Sequence, residues 1–432
     1  MIQFGTDGVR GRAGQMPISA EGGVAIGRAA ARLARELGQG RVLVGRDTRP
    51  SGSALEAAVV SGVLSNGCVC MLAGVLPTAG VGIGLDAGLA DVGVMITASH
   101  NPAADNGFKI IGSRGRKLDD DQIARVETWL AESPPVDVSF GQVVPAHADA
   151  WLTWLEAVDR ATPGRSILAG HRIAIDLANG AASPCARWLV ENTDADWVII
   201  GDGTGSVNDG VGSEHIDTLC RVVVEQGCVA GFAVDGDADR CRMVDGAGDV
   251  IPGDALTWIL ARDMGARQVA VTVMSNGALE LNLPDTRVIR TAVGDRFLRQ
   301  AMDRDGIPLG AEESGHVLFE DHASGDGIVT GLRVLTALLK RDQSIADTMA
   351  AFVLLPRILT RVPVSSRPQL DQVPEIAAAR EQGLASLGAG GRVFLRYSGT
   401  EDFLRVLVEG ADAAVVSAVS QQMTRVSGQA LS

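Results

Sequence analysis

Apolar positions along this chain come in short runs, and each run is followed by a segment of helical character. Residues 41–45 (RVLVG) form a β-branched run, 52–64 reads as a helix, 67–72 returns to a strand, and 92–97 (VGVMIT) is another apolar run. The pattern recurs at 172–177, 181–191 and 196–201, and again at 268–274 (QVAVTVM) with a helix over 278–283. Short apolar runs alternating with helices predict parallel sheets joined by crossover helices. The last segment differs: 392–397 and 403–409 read as paired strands around a polar loop, as in a small α+β domain. The expected fold is therefore α/β, with three related α/β domains of mixed or parallel sheets and a smaller C-terminal α+β domain. Boundaries are expected near the Pro-rich stretch 133–145, after Asp245 and within 354–366. These give domains over 1–147, 148–248, 249–358 and 359–432.

Composition narrows the class. Hydrophobic residues make up 46 % and charged residues 21 % of 432 positions, a mix that can bury large cores. The net charge of -14, without long Lys/Arg runs, argues against nucleic acid or an anionic membrane as partner. An anionic small molecule remains open to a few pocket arginines. The cysteines Cys68, Cys70, Cys185, Cys220, Cys228 and Cys241 form no C-x-x-C pair. They read as reduced thiols of a cytoplasmic protein. No signal peptide is expected at Met1, and no apolar stretch reaches the roughly 18 residues of a membrane helix.

Chemistry concentrates in a few loops. Thr97-Ala98-Ser99-His100-Asn101-Pro102 follows an apolar strand, and ligand sites of α/β sheets gather at strand C-terminal ends. Ser99 is a candidate nucleophile there, with His100 and Lys109 as proton carriers; taken alone, the motif is equally a turn. Asp235, Asp237 and Asp239 alternate in DGDADR, after a second apolar run. Three such carboxylates suit a hard cation such as Mg²⁺ and would repel one another without one. A calcium EF-hand is excluded, since Arg240 and Gly246 stand where its Gly and Glu belong. Arg396-Tyr397-Ser398-Gly399-Thr400-Glu401, with Arg405 beyond, is a compact oxyanion cradle or a hairpin turn with surface arginines. Glu312-Glu313-Ser314-Gly315-His316 suits sugar hydroxyls or an ammonium group, and Arg10 lies in a Gly-rich loop at 5–11. A further small cluster is Gly294-Asp295-Arg296. Dinucleotide-binding, P-loop and G-x-S-x-G signatures are absent.

In order, FGTDGVRG, TASHNP with DNGFK, DGDADR, EESGH and RYSGTED resemble the α-D-phosphohexomutase superfamily over nearly the whole chain. Phosphoglucosamine-type wording occurs at 4–11, 272–276, 292–296 and 325–329. The resemblance implies four domains around a central cleft and an intramolecular phosphotransferase. Its expected reaction interconverts glucosamine 6-phosphate and glucosamine 1-phosphate through a hexosamine 1,6-bisphosphate. Glucose or mannose phosphate is the alternative substrate. Ser99 is then the phosphoserine, and it holds one Mg²⁺ with Asp235, Asp237 and Asp239. Arg240 offsets charge, while His100, Lys109 and Arg10 handle protons or orient groups. Glu312, Ser314 and His316 meet the sugar. Arg396, Ser398, Gly399, Thr400 and Arg405 hold the non-reacting phosphate. The resemblance allows a homodimer. Four positions depart from the family wording: Asp402 replaces a Pro, Glu313 a neutral amide, and Thr97 and Ala238 are milder changes.

Overall fold

A computed structural model describes residue 4 and residues 8–132, 140–340, 344–398 and 402–432. The first sheet contains β1 (Val9–Arg12), β2 (Arg41–Arg46), β3 (Val69–Val75), β4 (Val92–Ile96), β5 (Asp105–Ile111) and β6 (Val143–Pro145). The second holds β7 (Arg172–Asp176), β8 (Asp196–Ile200), β9 (Ala230–Val234), β10 (Cys241–Asp245) and β11 (Val250–Ile251). The third holds β12 (Gln268–Thr272), β13 (Arg287–Thr291), β14 (Leu309–Ala311) and β15 (Val317–Phe319).

These sheets share one topology. The order β5-β4-β2-β3 in the first repeats as β10-β9-β7-β8 and as β15-β14-β12-β13. In each, three strands run parallel and the fourth returns antiparallel. The chain reverses between the third strand and the fourth, and that reversal carries the Ser99 loop, the Asp235 loop and the Glu312–His316 loop in turn. Burial explains why the strands read as continuous apolar runs: every residue of β4 and β9 is buried, as expected for sheets covered by helices. Helices Ala20–Leu37 and Gly52–Leu64 pack backbone to backbone. A Cβ on Gly27 would meet Val59 O at 2.1 Å, so only glycine permits that approach. The helix read over 181–191 is divided into a short 3₁₀ turn, Ser183–Cys185, and a helix, Ala186–Thr193. Pro184, which lacks a backbone donor, sits in the turn.

By contacts the chain forms two units. One comprises Met1–Met274 and Asp285–Ala350, the other Ser275–Pro284 and Ala351–Ser432. The second is built on the antiparallel sheet β16 (Arg357–Pro363), β17 (Arg392–Tyr397) and β18 (Phe403–Glu409), in the order β16-β18-β17. One face packs Val362, Val393, Leu404, Val406 and Val408 against helices Pro374–Leu387 and Ala413–Leu431. The sequence reading placed 275–284 within 249–358, yet this segment packs on the C-terminal unit. Asn276 Nδ2 donates to Leu355 O at 3.1 Å and its Oδ1 accepts from Leu355 N at 3.0 Å. Buried Glu409 accepts from Gly277 N at 2.9 Å. Among the described residues no helix is long and apolar enough to cross a membrane.

Candidate active site

Ser99 follows β4 at the point where the chain leaves the sheet, with φ 54° and 1 % exposure. A serine in the left-handed region costs about 1–2 kcal/mol, so its surroundings must enforce it. They do so densely. Ser99 N donates to Thr97 Oγ1 at 2.8 Å, and Thr97 Oγ1 donates to Asp47 Oδ2 at 2.7 Å. Arg49, 1 % exposed, pairs with Asp47 at 2.9 Å. Its guanidinium donates to Ser99 O at 2.9 Å, Asn101 O at 2.8 Å, Pro102 O at 2.5 Å and Asp105 O at 2.8 Å. Asn208 Nδ2 adds a second donor to Ser99 O at 2.7 Å.

So held, Ser99 Oγ donates to Asp235 Oδ2 at 2.6 Å and lies 3.1 Å from His100 Nδ1. Burial, then Arg240 and Arg10, push the His100 imidazolium below its ordinary range, which favours the neutral ring. Asp235 ends β9. Its Oδ1 accepts from Asp239 N and Arg240 N, both at 3.1 Å, which curls the DGDADR loop. Ala238 takes the left-handed bend at φ 60°. A Cβ on Gly236 would meet Ser99 O at 2.7 Å, so glycine lets the two loops touch.

Ligand oxygens of Asp235, Asp237 and Asp239 lie within 4.8 Å of one another, all buried. Lys109 Nζ, projecting from β5, donates to Asp237 Oδ2 at 2.7 Å and Asp239 Oδ2 at 2.9 Å. Thr78 Oγ1 donates to Asp237 Oδ2 at 2.5 Å. Asp237 Oδ1 is buried without a hydrogen-bond partner. Burial, then the charges of Asp239 and Asp237, push the Asp235 carboxyl up to about 8. Burial alone would raise Asp239 too, but Lys109, His316 and Arg240 hold it well below the usual carboxylate range. An orphaned oxygen and a carboxyl forced toward its protonated form fit a site for a divalent cation, and all-oxygen donors suit Mg²⁺.

The remaining predicted residues divide. His316 stands between Asp239, 3.7 Å from Nδ1, and Asp295, 3.4 Å from Nε2. Burial opposes its charge, yet those carboxylates keep its imidazolium well above the ordinary range. Glu312 accepts from Ser314 Oγ at 3.3 Å and from Gly294 N at 3.1 Å, so the sugar-facing candidates share one braced loop. Arg240 lies 3.6 Å from Glu214, and Arg10 sits on β1 opposite Gly107 of β5. In the C-terminal unit Arg396 and Arg405 are exposed register partners on β17 and β18, and Ser398 N donates to Phe403 O at 2.9 Å. Gly399 and Thr400 lie outside the described residues.

Asp47, Arg49, Thr78 and Asn208 were missed as partners of these groups, while Asp295 belongs to the Gly294-Asp295-Arg296 cluster noted in the sequence. The signal for two of them was in the chain: Asp47-Thr48-Arg49 directly follows β2, a strand end as polar as that of β4. Asn208 carries no comparable mark.

Models for phosphoglucomutase/phosphomannomutase match at residues 1–135 (alpha/beta/alpha domain I), 252–354 (alpha/beta/alpha domain III) and 359–426 (C-terminal domain). A phosphoglucosamine mutase of Frankia alni is 40 % identical, covering 99 % of this chain and 98 % of that protein. One from Mycobacterium bovis is 41 % identical, covering 95 % and 96 %. The chain belongs to the phosphoglucosamine mutase family of α-D-phosphohexomutases. Members of this family are isomerases that act as intramolecular phosphotransferases. Solved structures agree on the fold. A Burkholderia thailandensis phosphoglucomutase/phosphomannomutase family protein superposes with TM-score 0.81 at 22 % identity, covering 98 % of this chain and 97 % of that one. Aspergillus fumigatus N-acetylphosphoglucosamine mutase, in complex with GlcNAc-6P and magnesium, gives 0.65 at 19 %, covering 100 % and 96 %.

Within the family frame the departures become readable. Asp402 turns outward to Arg367, 3.0 Å away, with its side chain 88 % exposed. Its charge is thus engaged by a neighbouring arginine. Thr97 is the link between Asp47 and Ser99 N. Ala238 occupies the one backbone position of the metal loop where glycine would be relaxed.

Proposed function

We propose that this chain interconverts glucosamine 6-phosphate and glucosamine 1-phosphate, with Ser99 as the phosphoryl carrier. The observation that carries the reading is Ser99 Oγ, in enforced left-handed geometry, against Asp235 Oδ2 and His100 Nδ1. The names of the full-length relatives support glucosamine as the sugar.

Asp235, Asp237 and Asp239 would hold Mg²⁺, together with an oxygen of phosphorylated Ser99. When bound, the ion supplies neutralisation of charge on the transferring phosphoryl oxygens. The chain's own residues do the rest. In the first half-reaction O1 of the 6-phosphate attacks phosphorus on Ser99, and the bond from phosphorus to Oγ breaks. The bisphosphate then turns over, and the Ser99 hydroxyl attacks its 6-phosphoryl group. Neutral His100 accepts the Oγ proton in this second step and returns it in the first, while the proton that O1 loses passes to solvent and the departing 6-oxygen takes one from solvent. Lys109, held by Asp237 and Asp239, is an orienting cation rather than a base. Arg240 and Arg10 add fixed positive charge beside His100. Glu312, Ser314 and His316 bind the sugar. The phosphate that is not reacting is held by Arg396, Ser398, Gly399, Thr400 and Arg405. Such a cycle consumes a cytoplasmic sugar phosphate and requires no macromolecular partner.

Initial rates with Mg²⁺ and a trace of bisphosphate, on glucosamine, glucose and mannose phosphates side by side, test the proposal. Preference for the glucosamine ester is expected. Preference for either neutral sugar would overturn the assignment of substrate.

A further inference from the structure

The outer face of the C-terminal sheet carries a feature that the RYSGTED motif does not contain. In the register of β16, β18 and β17, Arg361 stands opposite Arg405, and Arg405 opposite Arg396. Residues directly paired across antiparallel strands point to one face, so three guanidinium groups form a continuous row. All three side chains are exposed. The opposite face of the same strands packs Val362, Val406 and Leu395 into the core, so the row cannot turn inward.

Like charges directly opposite one another on a sheet are destabilising. Carboxylates are plentiful in a chain of net charge -14, and neighbouring arginines use them. Arg367 pairs with Asp402 at 3.0 Å and Arg392 with Glu409 at 3.1 Å. Among the described residues, Arg361, Arg396 and Arg405 have no such ion pair. Two of them are instead braced on one ring: the guanidinium carbons of Arg361 and Arg405 lie 5.2 Å and 5.8 Å from the centroid of Phe403. Stacking of this kind orients a guanidinium while leaving its N–H edge available. Ser398, within the RYSGTED motif, donates its backbone N–H to the carbonyl of the same Phe403. A braced row of unpaired arginines is poorly suited to an isolated sheet and well suited to a dianion.

We infer that Arg361 is the third guanidinium of this anion site, and that the site is built for the dianionic phosphate monoester of the substrate. The inference rests on the proposed function for the identity of that ester, but the anion site itself does not. Arg361 lies far from the motif in sequence and reaches it only through the register of β16.

The test uses full-length Arg361→Gln and Arg361→Lys beside the wild type. For the best hexose phosphate, R361Q is expected to raise KM about tenfold with kcat within about twofold, as loss of one charge-assisted contact implies. R361K should fall between, because it keeps the charge and loses the fork. The KM of R361Q should also depend less steeply on ionic strength. Inorganic phosphate is the second probe: it should compete with substrate, and raise the melting temperature, more strongly for wild type than for R361Q. Unchanged KM and an unchanged phosphate response in R361Q would overturn the inference. If the wild type turned over no hexose phosphate, the proposed function would fail while the phosphate response still decided the role of Arg361.

Discussion

The Ser99 loop and the arginine row of the C-terminal sheet solve opposite problems. Around Ser99 the polar groups are packed and densely engaged: Arg49 holds four carbonyls, Asn208 two of the same ones, and Lys109 two carboxylates. Around Arg361, Arg396 and Arg405 the charges are exposed and, among the described residues, without an ion pair. On the proposed function, the Ser99 end would break and make bonds and is fixed before substrate arrives, because a misplacement of the reacting oxygen costs rate directly. The arginine row, on the same proposal, would only grip a phosphate and complete itself with the ligand's own charge. Variants should therefore act on kcat at the first region and on KM at the second.

Ser99→Ala should give the largest effect at the buried end. Turnover should fall by about 10⁴-fold or more, as loss of a nucleophile does, with a melting temperature close to wild type. Asp235→Asn comes next, with a loss of roughly 10²–10³-fold if it removes one charge-stabilising ligand. Its stability without metal should stay equal or rise, since the substitution mimics the protonated carboxyl, whereas the gain in melting temperature on adding Mg²⁺ should disappear. The same group gives a pH signature. Burial and the neighbouring carboxylates push its native pKa up to about 8, above that of an ordinary aspartate, so between those values the folded state binds the extra proton. The stability that this proton contributes is present at acid pH and lost as pH rises toward about 8. Thermal melts of metal-free protein across that window should show the loss, and Mg²⁺ should suppress it.

Arg49→Lys should lower kcat by about 10–100-fold with KM nearly unchanged, because an ammonium cannot span four carbonyls. An equal rise in KM would break the contrast between the two regions. Ala238→Gly is the smallest change. Relief of the left-handed backbone is offset by the unfolded-state entropy of glycine, leaving a net gain below about 1 kcal/mol in denaturant titration.

Much of this was legible in the chain. The strand runs at 41–45, 92–97 and 172–177 are buried strands in the structure because covered parallel sheets need apolar residues on both faces. The alternation in DGDADR forecast the convergence of Asp235, Asp237 and Asp239, since the loop is short enough for spacing to fix geometry. The shared topology of the three sheets was visible only as similar strand intervals. Contacts between distant segments were not legible. Arg49 reaches Pro102 and Asp105 across the ends of neighbouring strands, and Asn208 reaches Ser99 from another sheet. Local patterns carry no record of such pairings. Arg361 was hidden for the same reason, since only the register of β16 with β18 sets it beside Arg405.

The central claim is that Ser99 carries the phosphoryl group, and transfer of radiolabel tests it most directly. Protein incubated with Mg²⁺ and labelled glucosamine 1,6-bisphosphate should take up label on the peptide containing Ser99. Unlabelled glucosamine 6-phosphate should then remove that label as bisphosphate, and Ser99→Ala should take up none. Continued turnover with no label on Ser99, or label lodged on another residue that chases equally well, would contradict the account.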